Sequence, residues 1–375
     1  MDLSEIRQEI DSVDSQIVEL YKKRMGLALE VARYKIDNNK PILDSSREKE
    51  KIEKAKAMVS DNFDKEAVAD LFRQIMASSR KLQYRFMEDN ANTAREDYDE
   101  MNEIDKEHAK VVYQGVEGAY SFLAMKQYFG ENVDCFNVAT FTEAMEAVAK
   151  GEADYAVLPI ENSTAGIVND TYDLLCEYDN FIVDEIYYKI DHALLGLENA
   201  DISDIDVVYS HPQGLMQCSK YLDTHSDWQR IGQANTALSA KKVLEDGNVN
   251  EAAIASKDAA KYFSLKVLDT DISNNSNNVT RFVVISNKRC FRKNAGKMSI
   301  CFETAHETVS LYNMLSHIIY NGLNMTKIES RPIEGKMWQW RFYVDFDGNI
   351  DDAAVKNAMR GIEEEAKRLK FLGNY

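Results

Sequence analysis

The sequence predicts a multidomain protein in three parts of different class: an all-α segment, an α/β segment and a smaller α+β segment. Three observations predict it. Residues 1–90 carry helical periodicity and no strand pattern. Residues 110–288 alternate short apolar strands with helical stretches, the signature of α/β structure. Residues 297–375 read strand, helix, strand, strand, helix and a short apolar end, the ferredoxin-like βαββαβ order. The total of 375 residues is too long for one ordinary core and suits two or three domains.

In the first helix, Ile6, Ile10, Val13, Ile17, Leu20, Arg24, Leu27, Val31 and Tyr34 follow one another at spacings of four and three. That is a coiled-coil seam. Asn38, Asn39 and Pro41 stop it. Arg24 stands inside the seam. A buried guanidinium there needs an anion, or else it snorkels at the helix edge. Lys35 returns to nearly the same face. A second helix starts near Asp44, with Arg47 and Glu48 in its first turn. A third spans roughly 64–88 and carries Ser79 and Gln83 on one face.

The stretch 88–110, EDNANTAREDYDEMNEIDKEHAK, has many charges and few large apolar residues. Residues 91–109 therefore read as an acidic linker or a solvated helix extension. Beyond it, KVVYQG, ADYAVLPIENS, FIVDEIYYKI, HALLGL, DVVYSHPQ, AAIAS and RFVVIS read as strands. Four stretches place polar groups at strand ends: YQGVEGAYS (113–121), PIENSTAGIVND (159–170), SHPQG (210–214) and NNVTRF (277–282). Singly, such stretches are usually plain turns. Thr280 and Arg281 open a strand after a run of Asn and Ser (273–278). In a regular strand their side chains face opposite ways. Arg281 then either binds a carboxylate or packs a lobe.

A second joint lies near NKRCFRKNAGK (287–297). In the last part, Trp338, Trp340, Phe342, Val344 and Phe346 alternate with period two, as in a half-buried strand.

The totals exclude several function classes. Net charge is −18, which argues against nucleic acid as a partner. An anionic ligand must instead meet a local cationic pocket, and residues 1–90 are nearly neutral, with 17 Lys+Arg against 18 Asp+Glu. Five scattered Cys without a CxxC pair favour reduced thiols in a cytoplasm. Six His without ligand spacing imply no metal. No apolar run reaches the length of a membrane span, and the acidic start MDLSEIRQEIDSVD is not a secretory signal.

Residues 3–87 resemble the all-helical chorismate mutase family. The family's site residues fall on Arg7, Arg24, Lys35, Asp44, Arg47, Glu48, Ser79 and Gln83, with every residue type kept. The resemblance implies conversion of chorismate to prephenate, a pericyclic step that needs no nucleophile. Such a site must hold a flexible dianion in its reactive conformer and stabilise charge on the breaking ether oxygen. Lys35 and Gln83 would aim donors there. Glu48 would be protonated or would bind the substrate hydroxyl. Arg7 and Arg24 lie about 25 Å apart along one helix at 1.5 Å per residue. A shared site therefore requires Arg7 from a second chain, and a dimer or higher homo-oligomer is expected.

Residues 110–288 resemble the prephenate dehydratase family, most specifically in PIEN and TRF. The resemblance implies two α/β lobes around a cleft, like a periplasmic binding protein, and no cofactor. It implies Thr280 as the group that helps the substrate hydroxyl leave. Ser121, Asn162 and Gln213 would orient substrate oxygens.

Residues 297–375 resemble the ACT domain, through TKIESRP, FYVDFDG and the ending FLGNY. In that family phenylalanine binds between such domains at two loops. One is Glu329, Ser330, Arg331 and Pro332, intact here. The other is a Gly-Ala-Leu turn, which here reads Val309, Ser310, Leu311. A β-branched Val lacks the backbone freedom of Gly. The combined expectation is a bifunctional enzyme of phenylalanine biosynthesis. The alternatives are an inactive amino-acid sensor, or an enzyme that keeps only one activity.

Overall fold

The computed structural model describes residues 2–90, 98–101 and 103–375. The chain forms two compact units. One comprises Met1–Glu96 with Gly296–Phe371; the other comprises Asp97–Ala295 with Leu372–Tyr375.

Three helices begin the first unit: α1 (Leu3–Asp37), α2 (Ser45–Lys56) and α3 (Asn62–Asn90). Asp2 caps α1 by accepting from the amides of Ser4 and Glu5, and the Glu5 side chain returns to the Asp2 amide. This capping box satisfies the orphan donors of the first turn. Asn38 closes the helix. Both α1 and α2 pack against α3, around Ala28, Ala32, Ile42, Ala55, Met76 and Tyr84. The heptad face of α1 is not used in this packing. Ile6, Ile10, Val13, Ile17, Leu20, Leu27, Val31 and Tyr34 are 41–67% exposed.

The segment expected as a linker differs from that expectation. Residues 91–97 lie outside the described residues. After them, β1 (Asp99–Met101) pairs in parallel with a later strand at Cys290–Arg292. Ile104 and Ala109 are buried. These few apolar positions outweigh the surrounding charge, because each removes its area from water.

The second unit then builds two lobes. The first lobe holds β2 (Lys110–Gln114), α4 (Tyr120–Phe129), β3 (Asp134–Val138), α5 (Phe141–Ala149), β4 (Tyr155–Asn162), β5 (Gly166–Ile167), α6 (Asn169–Glu177) and β6 (Phe181–Lys189). The chain crosses to the second lobe through β7 (His192–Gly196), β8 (Val207–Ser210), α7 (Pro212–Gln217), α8 (Ser219–Asp223) and β9 (Gln229–Gly232). It continues there through α9 (Thr236–Asp246), β10 (Glu251–Ser256), α10 (Ala259–Phe263) and β11 (Lys266–Asp269). It returns as β12 (Val279–Ser286) and ends at β13 (Cys290–Arg292). The second-lobe sheet runs β11-β7-β10-β8-β9, and the first-lobe strands run β6-β12-β4-β2-β3. Val111, Phe122, Val157, Phe282 and Val284 lie in the core of the first lobe. Leu194, Val208, Leu222, Trp228 and Ile254 lie in that of the second. Two crossings, β6 to β7 and β11 to β12, join the lobes. The backbone between lobes is close at Gly118 (φ 79°), where a Cβ would stand 3.2 Å from the Ala259 backbone.

The chain finishes as β14 (Lys297–Glu303), α11 (Ser310–Tyr320), β15 (Met325–Pro332), β16 (Trp340–Asp347), α12 (Ala353–Glu365) and β17 (Arg368–Asn374). The strands run β15-β16-β14-β17, with β15 at the edge. The alternation expected to begin at Trp338 begins two residues later. Trp338 has φ 57° and is 74% exposed, and a left-handed residue cannot continue a pleated ladder. In the first unit, α12 also packs against α3.

Candidate active sites

The helical hollow is built from one face each of α1, α2 and α3. Arg24 does not snorkel: its Nη1 donates to the Ser79 hydroxyl, and to the Ile75 carbonyl at 3.4 Å. Lys35, in the last turn of α1, donates to the Ile42 carbonyl. Asp44 is the N-cap of α2 and accepts from the Arg47 amide at 3.0 Å. The Arg47 side chain donates to Glu50. Gln83 Nε2 donates to the Ser79 carbonyl at 3.1 Å, which leaves its second N–H free. Its Oε1 is buried with no partner among the described residues.

Electrostatics mark this face as a cluster of partly desolvated cations. Arg24, Lys35 and Lys51 all have their pKa lowered, first by burial. Lys51 is pushed further by Arg24 and Arg47. Glu48 acts on all three and offsets part of the cost of desolvating them together. Arg7 is not part of the cluster; it lies on the exposed N-terminal part of α1. Sequence reasoning missed Lys51 and also Arg80, which is buried and donates through Nη1 to both Glu48 oxygens at 2.6 and 2.7 Å.

In the two-lobed unit, the register of β12 on β4 sets Thr280 opposite Asn162 and Arg281 opposite Glu161. Asn162 Nδ2 donates to Thr280 Oγ1 at 2.9 Å and to Asn278 Oδ1 at 2.8 Å. Asn162 Oδ1 accepts from the amides of Thr164 and Ala165. The PIENSTA turn thus fixes the amide. A hydroxyl that accepts from Asn162 keeps its own O–H to donate in a further hydrogen bond. Thr280 is 7% exposed, and no carboxylate or imidazole among the described residues bonds to its hydroxyl.

Arg281 takes the packing alternative. It is also 7% exposed, and its Nε donates to Glu185 at 2.7 Å while Nη2 donates to the Tyr375 hydroxyl at 2.7 Å. The Glu161 carboxylate stands 3.9 Å from it. Strand alternation turns it to the face opposite Thr280, where its charge is met by Glu185.

Ser121 is buried in the first turn of α4. Gln213 lies in the first turn of α7, and its Nε2 is buried without a partner among the described residues. Such an orphan donor costs free energy unless something accepts from it. Gly214 is required beside it, because a Cβ there would stand 2.6 Å from Ser210 Oγ.

Between α4 and α7 lies a network that the sequence did not reveal. His192 Nδ1 meets the Tyr120 hydroxyl at 2.9 Å, and His192 Nε2 meets Gln217 Oε1 at 2.9 Å. Burial lowers the His192 pKa, so the imidazole is held neutral as a bridge between lobes. The one available signal was a polar ring inside the otherwise apolar HALLGL.

In the C-terminal part, a cavity of about 410 Å³ is lined by Thr304, His306, Glu307, Ser310, Leu311 and Trp340, among others. Val309, at the N-cap of α11, has φ 67°. The backbone keeps the left-handed shape a Gly would adopt, at a steric cost for a β-branched residue. Glu329, Ser330, Arg331 and Pro332 end the edge strand β15, paired with β16. No residue of 329–332 lines the cavity. No group of potential metal ligands, and no helix long and apolar enough to cross a membrane, occurs among the described residues.

Comparison with known proteins follows the same division. The family model for chorismate mutase type II matches residues 6–84, and that for prephenate dehydratase matches residues 111–290. The bifunctional chorismate mutase/prephenate dehydratase of Escherichia coli strain K12 is 31% identical, covering 99% of this chain and 95% of its own. The crystal structure of prephenate dehydratase from Arthrobacter aurescens in complex with L-Phe is 29% identical, with TM-score 0.66, covering 71% of this chain and 89% of that one. A structure described as a quorum quenching acylase is similar to the same degree: 29% identical, TM-score 0.65, covering 70% of this chain and 96% of that one.

Proposed function

We propose how this chain, which belongs to the bifunctional chorismate mutase/prephenate dehydratase family, divides its two reactions among its own residues. It converts chorismate to prephenate and prephenate to phenylpyruvate, in phenylalanine biosynthesis.

The rearrangement falls to the helical hollow. Arg24 and Arg47 grip substrate carboxylates, which suit the guanidinium fork. Lys35 and the free N–H of Gln83 donate to the ether oxygen as its bond to carbon breaks and charge grows there. Glu48 accepts from the substrate hydroxyl. The partner subunit's Arg7 completes the site. The bare heptad face of α1 supports this, since a second copy would cover it. The Arg24–Ser79 contact, with Lys35 and Lys51 desolvated nearby, is the observation that carries this half.

The dehydration falls to the cleft between the lobes. Loss of hydroxyl and carbon dioxide makes the ring aromatic, so the protein need only assist a leaving oxygen. Thr280 donates to that oxygen, with Asn162 holding its other side. Ser121 and the orphan amide of Gln213 bind substrate oxygens. The Asn162-to-Thr280 hydrogen bond carries this half.

The βαββαβ part serves as an ACT domain that takes phenylalanine. Ser310 and Leu311 line its cavity, and Glu329–Pro332 of a second copy would close it. The L-Phe complex of the Arthrobacter relative supports this effector. Three domains follow: 1–90 for the mutase, 110–288 for the dehydratase and 297–375 for the effector.

Supplying chorismate to the purified chain tests the whole. Chorismate should disappear and phenylpyruvate appear, read by its absorbance in alkali. Calorimetric titration with phenylalanine tests the effector; no heat would leave the last domain a structural module.

A further inference from the structure

Arg80 stands outside the residues assigned above, yet it is buried against one of them. Its Nη1 holds both oxygens of Glu48, and its Nε donates to Glu365 at 2.7 Å. Glu365 ends α12 of the C-terminal part, 285 residues away in sequence. Behind Glu365 stands His317 of α11, with Nε2 at 3.1 Å from the same oxygen. His317 packs closely on Gly361 of α12, where a Cβ would come within 2.3 Å of the ring. The arrangement is therefore packed from both sides.

The neighbouring carboxylate repeats the pattern. Glu364 accepts from the Tyr84 hydroxyl at 3.0 Å and from the Leu43 amide at 3.3 Å. Leu43 follows Ile42, whose carbonyl takes Lys35. The last turn of α12 thus reaches two residues of the helical hollow, each through one intermediary: Glu48 through Arg80, and Lys35 through the Ile42–Leu43 backbone.

We infer that Arg80 is a positioning residue for the rearrangement, and that Glu364 and Glu365 of α12 buttress the mutase hollow. Chelation by one guanidinium fixes the Glu48 carboxylate in a single rotamer. Both its oxygens are then acceptors aligned before substrate arrives, which is where preorganisation acts. Glu365 holds the guanidinium from the other side. A plain ion pair docking two helices would use the same atoms, but would not make the turnover of Glu48 depend on Arg80.

This rests on the mutase reading of the hollow, and the full-length chain tests the two separately. If the parent chain fails to consume chorismate, the mutase reading falls. Given an active parent, Arg80→Met should lower mutase kcat by about tenfold or more, with KM changed much less. Dehydratase turnover on prephenate should stay within about twofold, since Arg80 lies outside that site. Arg80→Lys should recover only part of the loss, because a single ammonium cannot hold Glu48 and Glu365 at once as Nη1 and Nε of one planar guanidinium do. On a Glu48→Gln background the Arg80→Met loss should vanish, since the two act as one unit. Should Arg80→Met fail to fold by circular dichroism, Glu365→Gln serves instead. It keeps the shape and should still lower mutase kcat by about threefold. Undiminished mutase kcat in folded Arg80→Met, or in Glu365→Gln where that variant stands in, would overturn the inference. So would a loss that recurs in full without Glu48.

Discussion

In the proposed assignment, the helical hollow and the Thr280 cleft handle related ring acids by opposite means. The first gathers cations: Arg24, Lys35, Arg47 and Lys51, on a chain of net charge −18. The second gathers neutral polar groups: Thr280, Asn162, Asn278 and the orphan amide of Gln213. The nearest cation in sequence, Arg281, is neutralised by Glu185 on the far face of the strand. The difference follows from where charge develops. A rearrangement builds charge on an ether oxygen that stays within the molecule, and fixed cations favour it. A dehydration expels a hydroxyl, and one positioned hydrogen-bond donor to the leaving oxygen suffices. Net charge therefore predicts little about a site; local desolvation predicts more.

A second difference is completeness. Thr280, Asn162, Gln213 and the Tyr120–His192–Gln217 bridge come from one chain. On the proposed assignment, the helical hollow takes Arg7 from a second chain. Mixing experiments break this contrast most sharply. Arg24→Ala should lower mutase kcat/KM by about 10²–10³, as for other charge-stabilising donors. Arg7→Ala should do the same. Co-refolded together, the two variants should recover about a quarter of parental mutase activity, because half the dimers carry one intact site of two. No recovery would make each site the property of one chain. Asn162→Ala should lower dehydratase turnover by about 10–10² through loss of Thr280 orientation, and leave the mutase unchanged.

The pH dependence should also separate them. Burial lowers the folded pKa of Lys35. Its cationic form, needed for the dianion, is present below that pKa and lost as pH rises through it. Mutase kcat/KM should thus fall at a pH below the ordinary lysine value of about 10.4. Thr280 does not titrate in this range, so dehydratase should not share that limb. Equal limbs would mean one shared titrating group. The smallest effect lies outside both hollows. Val309→Gly should raise stability by about 1 kcal/mol by releasing a β-branched residue from φ 67°, read from denaturant unfolding.

Much of this was legible in the sequence, for local reasons. The seam spacing of α1, the strand alternation and the βαββαβ order are short-range patterns. So is the start of the second helix near Asp44. What was not legible is long-range. Nothing near Arg80 in sequence announces Glu365, and nothing near His192 announces Tyr120 or Gln217. Charge density also misled at Asp99–Met101, where backbone pairing with β13 and the burial of Ile104 decide the structure. Trp338 kept the alternating pattern but not the strand, because turn geometry overrides periodicity there.

The division of labour is tested most directly by Thr280→Ala supplied with chorismate, following both compounds in time. Prephenate should accumulate as fast as chorismate is consumed, while phenylpyruvate formation drops by about 10²–10⁴. Phenylpyruvate appearing at the parental rate would contradict the account, and so would chorismate left untouched.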